Sequence, residues 1–327
     1  MKNEYIGHES QMVRVEEHRL IGGRGDGLRL LEIENGKGLH LTLNLDKCGD
    51  ISRLSCKGVN LGYFSPCGYV HPSYYDSRGT EFLKSFTAGF LTTCGLQNVG
   101  CACVDEGIEY GLHGSISNTP SHYHAYKCMD DKIEIQAVME DAVLFGTKLR
   151  LNRTYVVSLV DNTFTLTDEV ENRGTTDVPI QLLYHLNMGY PLLDEDSIVE
   201  VSSESVEPRD ERAREGYENW MKMEKPQVDF TEQCYFHTCK EKGEASIFQP
   251  KLDTKVRIAF DLSTLDSFTE WKMMGVNDYV LGLECGNCYP IGREASRAEG
   301  SLKYIKAGEK IRYQVEFAIT HPNMNNG

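Results

Sequence analysis

Recurrent alternation of apolar and polar residues limits what this chain can become more than any other feature. It recurs in LRLLEIENG (28–36), LHLTLNLD (39–46), KIEIQAVME (132–140), TKLRLNRTYVV (147–157), TFTLTDEVEN (163–172), KVRIAFDL (255–262) and IRYQVEFAIT (311–320). Successive strand side chains point to opposite faces, so each run can bury one face and wet the other. Most runs end in Gly, Asn or Asp turns, and no helix-length insert separates those between Lys132 and Leu193. That is the rhythm of antiparallel sheets, not of a strand–helix–strand crossover. Helical periodicity is weak, with short candidates at Thr80–Phe86, Arg212–Met223 and Arg293–Ala298. The expected fold class is all-β: a large antiparallel β-sandwich with few short helices.

The most polar stretch, Ser202–Lys225, reads as a surface excursion between strands, because strands of the same kind resume after it. The chain is therefore expected to form a single domain over 1–327. Its 34 Lys and Arg against 49 Asp and Glu leave a net charge of −15, a field that repels phosphate backbones and anionic lipid. No nucleic-acid or membrane partner is expected. The opening MKNEYIGHESQMVRVEEH carries charge throughout, unlike a signal peptide, and no apolar run nears the ~20 residues of a membrane span. The 11 cysteines, odd in number and scattered, then read as free thiols in a reducing compartment, and a cytoplasmic location follows.

Three segments carry chemistry. In QLLYHLNMGYPLL (181–193) an apolar strand delivers His185 and Asn187 beside a Gly-Tyr-Pro turn. Phe82–Ser121, punctuated by glycines, places His113 at a turn and offers Asn98, Ser115 and Asn118 as neutral partners for sugar hydroxyls. Its glycines are not spaced as GxGxxG or a phosphate loop, so no nucleotide cofactor is implied. In Phe268–Arg297 the buried strand YVLGLE ends in Glu284, where desolvation raises a carboxylate towards useful base strength.

TTCGLQNVG, GLHGSISNTP, YHLNMGYPLL and YVLGLE together resemble the aldose 1-epimerase (galactose mutarotase-like) superfamily, in a bacterial branch carrying LHG and YHxNxGYPLL motifs. The likeness runs from the strands near residue 30 to the C-terminus. It implies the galactose mutarotase-like sandwich, His185 as general acid, His113 as a substrate-positioning histidine and Glu284 as general base. Two departures bear on the substrate: Ser115 stands where an arginine is expected, and Cys285 where a proline is usual. Interconverting anomers needs one proton removed from the anomeric hydroxyl and one delivered to the ring oxygen, with neither metal nor cofactor. Trp271 offers a flat face to a sugar. Lys84, Arg293 and Arg78 are candidates to receive an anionic substituent such as phosphate or sulfonate.

Two other readings compete. His122 and His124 form an HxH pair that can begin a metal site in a cupin-like sugar isomerase, although the glutamate such a site wants is missing from the following residues. Cys101, Cys103, Cys285 and Cys288 give a CxC and a CxxC, a weak zinc signal, and Cys94 has no base beside it. A non-catalytic carbohydrate-binding module would keep His113 and the asparagines but need no acid/base pair.

Overall fold

A computed structural model describes residues 4–323. Every ladder between its named strands is antiparallel, and three sheets carry most of them. A five-stranded sheet takes Arg14–Arg19, Arg29–Glu34, Leu39–Asn44, Asp50–Cys56 and Val59–Asn60 in sequence order. An eight-stranded sheet runs Tyr123–Cys128, Lys132–Ala142, Lys148–Ser158, Thr163–Asn172, Lys310–Thr320, Thr254–Phe260, Gly243–Gln249 and Ile198–Val201. The third sheet has six strands: β1 (Leu91–Leu96), β2 (Gln181–Met188), β3 (Ser205–Pro208), β4 (Gln233–Thr238), β5 (Ser267–Met274) and β6 (Tyr279–Gly286). They lie side by side as β3-β4-β5-β6-β2-β1. Helices are few and short: Glu211–Glu215 and Arg293–Ala298, with 3-10 turns such as Glu81–Lys84.

The alternation read from the sequence becomes alternation of burial. In Lys132–Ala142, Lys148–Ser158 and Thr163–Asn172 every second side chain is buried. These inward residues, among them Ile133, Leu151 and Leu166, join one apolar cluster with Leu31 and Ile51 of the five-stranded sheet and Leu182 and Leu283 of the six-stranded one. Burial on this scale, at roughly 25 cal/mol per Å² of apolar surface, drives the collapse. The strands β1 and β2 break the pattern, being buried at every position. One face of β2 meets that core through Leu182, Tyr184 and Leu186, while its other face carries His185 and Asn187 and is covered by loops from the first third of the chain.

The polar excursion differs from expectation. Ser202–Lys225 contains β3, which joins the six-stranded sheet, and in place of one helix over Arg212–Met223 it forms Glu211–Glu215 and a 3-10 turn at Tyr217–Asn219. Its backbone is pinned by the buried Lys272, whose Nζ donates to Lys222 O at 2.7 Å and to Asn219 O at 3.3 Å.

Candidate active site

Strand register brings the two groups of interest together. β2 pairs with β6 so that Tyr184 faces Cys285 and Asn187 faces Gly282, which makes His185 the cross-strand neighbour of Glu284. On the other side of β6, Thr269 faces Glu284 and Trp271 faces Gly282. His185 Nε2 and Glu284 Oε1 approach to 3.2 Å, with side chains 6% and 2% exposed. A Cβ built on Gly282 would lie 2.3 Å from Glu284 Oε1. Only a glycine there lets the carboxyl fold back over its own strand.

Both groups border a cavity of about 560 Å³ between this sheet face and the covering loops, within the ~300–1,000 Å³ usual for small-molecule sites. His113, Arg209, Glu232, Thr269 and Trp271 also line it, along with Phe82 and Phe86. His185 is ringed by aromatic edges: Phe86 at 5.4 Å, His113 at 5.6 Å and Trp271 at 5.4 Å between centroids. His113 takes the left-handed conformation (φ 58°), and Gly114 after it has no room for a side chain, since a Cβ would lie 2.4 Å from Gly95 O. His113 Nδ1 accepts from Gly100 N at 3.3 Å. That bond leaves the proton on Nε2.

The wall's dryness governs the charges. Burial pushes the His185 imidazole down to about 3, His113 pushes the same way, and the Asn187 amide opposes. Burial likewise holds His113 down at about 4. Burial lifts the Glu284 carboxyl well above its ordinary range; the Glu232 carboxylate adds to the rise and Arg209 opposes it. The resting pair is therefore a neutral imidazole beside a protonated carboxyl, one transferable proton between two buried groups. Glu284 Oε1 and His185 Nδ1 have no hydrogen-bond partner among the described residues. Bordering a cavity, these two groups are placed so that a bound ligand can supply the missing bonds.

From residue 25 to residue 319 the sequence matches the model of a family described as a domain of unknown function, DUF4432. The chain belongs to the DUF4432 family. No curated protein matches it. Among solved structures, this DUF4432 protein is similar to a "putative aldose 1-epimerase" from Klebsiella pneumoniae. The TM-score there is 0.88 at 23% identity, over 96% of this chain and 86% of that one. A galactose mutarotase-like protein from Clostridium acetobutylicum gives 0.68 at 15% identity, over 95% and 99%. Galactose 1-epimerase from Lactobacillus acidophilus gives 0.64 at 12%, over 94% and 99%. At these identities the likeness is one of fold: the DUF4432 chain is a galactose mutarotase-like β-sandwich.

Of the residues singled out in the sequence, His185, Glu284, His113 and Trp271 come together around the cavity. Four others do not line it, because their polar groups are engaged elsewhere or face solvent. Asn98 is buried in a loop brace, its Nδ2 donating to Gly111 O and Cys101 O and its Oδ1 accepting from Arg293 N. The Arg293 guanidinium is buried against Asp105 at 2.6 Å and lies over the Tyr110 ring, so it is no anion clamp. Lys84 is 71% exposed and pairs with Glu81. Asn187 sits behind the site, donating to His185 O.

The remaining candidates are placed as follows. Arg78 pairs with Asp76 in solvent, and Asn118 accepts from the buried Lys47. His124 meets Glu17 at 3.0 Å near an outer strand. No group of three His, Cys, Asp or Glu able to hold a metal exists among the described residues. The sandwich also removes the cupin reading. Cys285, Cys288 and Cys94 are buried free thiols, while Cys101 is exposed at the cavity.

Sequence reading missed Arg209 and Glu232. Glu232 Oε1 accepts from Arg209 Nη2 at 2.9 Å, and its Oε2 accepts from Trp271 Nε1 at 2.6 Å. Both residues lie in charge-rich stretches, EPRDERAREG and DFTEQC, where nothing separates a cavity residue from its solvated neighbours.

Proposed function

We propose that this chain, acting as one domain, is a sugar epimerase that interconverts the anomers of an aldose or modified sugar, with His185 and Glu284 as its acid/base pair. The observation that carries the reading is their convergence: two buried titratable groups 3.2 Å apart on one cavity wall, each with an unpartnered polar atom. The mutarotase and epimerase names of its fold neighbours give the reading its reaction class.

In the reaction, one member of the pair takes the proton of the anomeric hydroxyl while the other protonates the ring oxygen. The bond from C1 to the ring oxygen breaks, C1 becomes a carbonyl, and rotation about the adjacent bond presents its other face. Reversal of the two transfers recloses the ring with no net proton change. The family resemblance assigned the acid to His185 and the base to Glu284. The resting protonation suits the opposite starting direction, with Glu284 as donor and His185 as acceptor. Because ring opening and closure mirror each other, each group serves in both roles over a cycle. His113 Nε2–H holds a hydroxyl or the ring oxygen, and Trp271 faces the sugar.

Exchange NMR on a panel of neutral, phosphorylated and sulfonated reducing sugars tests this. The protein should accelerate anomer exchange of at least one, and EDTA should leave that rate unchanged. A chain that only binds sugars leaves the spontaneous rate as it is.

A further inference from the structure

Arg209 is the only Lys or Arg that lines the cavity among the described residues. Its charge is already answered twice: Nε donates to Asp210 Oδ2 at 2.8 Å and Nη2 to Glu232 Oε1 at 2.9 Å. Asp278 adds another carboxylate to the lining, with a long 3.4 Å bond from the Tyr63 hydroxyl. The Asp210–Arg209–Glu232 set thus carries net negative charge. A second anion entering a partly dry site meets repulsion there, because Coulomb forces act more strongly than in bulk water. A hydroxyl meets the reverse, carboxylate oxygens that can accept its proton. Glu232 also fixes the ring nearest the reactive pair on that side. Its Oε2 holds Trp271 Nε1 at 2.6 Å, and the indole stands edge-on to His185 at 72°.

Resting on the sugar reading above, we infer that Glu232 sets the charge preference of this cavity: it holds Arg209 neutralised and Trp271 oriented, and so selects reducing sugars without an anionic group. A guanidinium has five N–H donors, and the two hydrogen bonds above leave others free. Removing the Glu232 charge while keeping its shape therefore turns Arg209 into an anion receptor. The substrate lies among unphosphorylated, unsulfonated sugars, contrary to the role the sequence suggested for Lys84 and Arg293.

The chain has two tryptophans, and the other, Trp220, packs on His237 at 4.9 Å away from the cavity lining. In a Trp220→Phe background, quenching of Trp271 fluorescence reports binding of matched probes: glucose and galactose, each against its 6-phosphate. The unsubstituted Glu232 protein should bind each parent at least about tenfold more tightly than its phosphate. Glu232→Gln, which keeps an oxygen for Trp271, should narrow that ratio about tenfold or invert it. Arg209→Met should keep phosphates excluded, and the double variant Glu232→Gln/Arg209→Met should lose the gain.

A parent-to-phosphate ratio unchanged by Glu232→Gln, as a merely structural role predicts, overturns the inference. So does a gain that survives loss of Arg209, or a wild-type preference for the phosphates. Anomer exchange in the same samples is read separately. Its absence with the charge preference intact removes the epimerase reading and leaves the role of Glu232 standing.

Discussion

Among the clusters of buried titratable groups in this molecule, those around Arg153 and around His185 and Glu284 are built to opposite rules. Arg153 is fully buried between sheets, and each side of its guanidinium is met: Nε and Nη2 donate to Asp168 at 2.9 and 2.6 Å, and Nη1 donates to Asp50 at 2.6 Å and to Cys48 O at 3.0 Å. Thr93 and Tyr184 complete it with hydroxyl bonds to the two carboxylates. The His185–Glu284 cluster is nearly as deep, yet its groups are held neutral by burial and keep unpartnered atoms. A saturated network has nothing left to give a substrate. An unsaturated one is tolerated where a ligand completes it. Burial alone does not separate these two clusters; completeness of pairing beside a cavity does.

That contrast can be broken most forcibly from the structural side. Arg153→Met leaves Asp50 and Asp168 buried without their cation and should lower unfolding stability by ~3–5 kcal/mol in denaturant titration. A loss under ~1 kcal/mol would mean that the network is not what ties the sheets together. From the other side, His185→Asn and Glu284→Gln should each slow anomer exchange by on the order of 10²-fold or more while changing stability by less than ~1 kcal/mol. Either variant unfolding like Arg153→Met would erase the distinction between the clusters.

Smaller effects sharpen it. Gly282→Ala places a methyl where Glu284 Oε1 lies. It should reduce turnover by up to about a hundredfold, the cost of ~1 Å misplacement at a reacting group, with thermal melting little altered. Unaltered turnover would show that the carboxyl does not need that pose.

The pH dependence is subtler. His113, His185 and His237 sit at about 4, 3 and 3 in the folded chain, below the ordinary 6.5. Lowered folded values mean that their stabilising contribution is complete above 6.5 and is lost as pH falls through the window from 6.5 to about 3. Each contributes up to about 1.4 kcal/mol per pH unit while it titrates. Glu284, raised by burial, works the other way: its contribution is complete below about 4.5 and is lost as pH rises through its folded value. Denaturant midpoints should therefore fall on acidification from pH 6.5 to 4. Turnover, which needs the pair's one proton, should fall on the alkaline side as Glu284 ionises. An acidic limb centred near 6.5, with turnover lost as pH falls through the value of a free histidine, would contradict the dry site.

Much of this was legible in the sequence, for definite physical reasons. Each period-two run named there is a strand, because one-sided burial leaves its mark at every second residue. His185 and Glu284 could be singled out because each interrupts an apolar strand. Their partnership was visible only through family resemblance, since strand register across a sheet leaves no trace in local sequence. Gly282 looked like an ordinary glycine in YVLGLE, and its meaning is the volume of a neighbouring carboxyl. Asn98, Lys84 and Arg293 were misjudged because polar side chains advertise hydrogen bonding without saying with what. Arg293 found Asp105, and Asn98 found backbone. Arg209 and Glu232 were hidden by their setting, since a charged residue among charges carries no contrast.

The most direct test of the pairing is a double-mutant cycle on anomer exchange, followed by exchange NMR on whichever sugar the panel identifies. If His185 and Glu284 act as one proton-transferring unit, the His185→Asn/Glu284→Gln protein will be about as slow as either single variant. Losses that multiply in the double variant, or a single variant running near the wild-type rate, would show that the two groups do not work together.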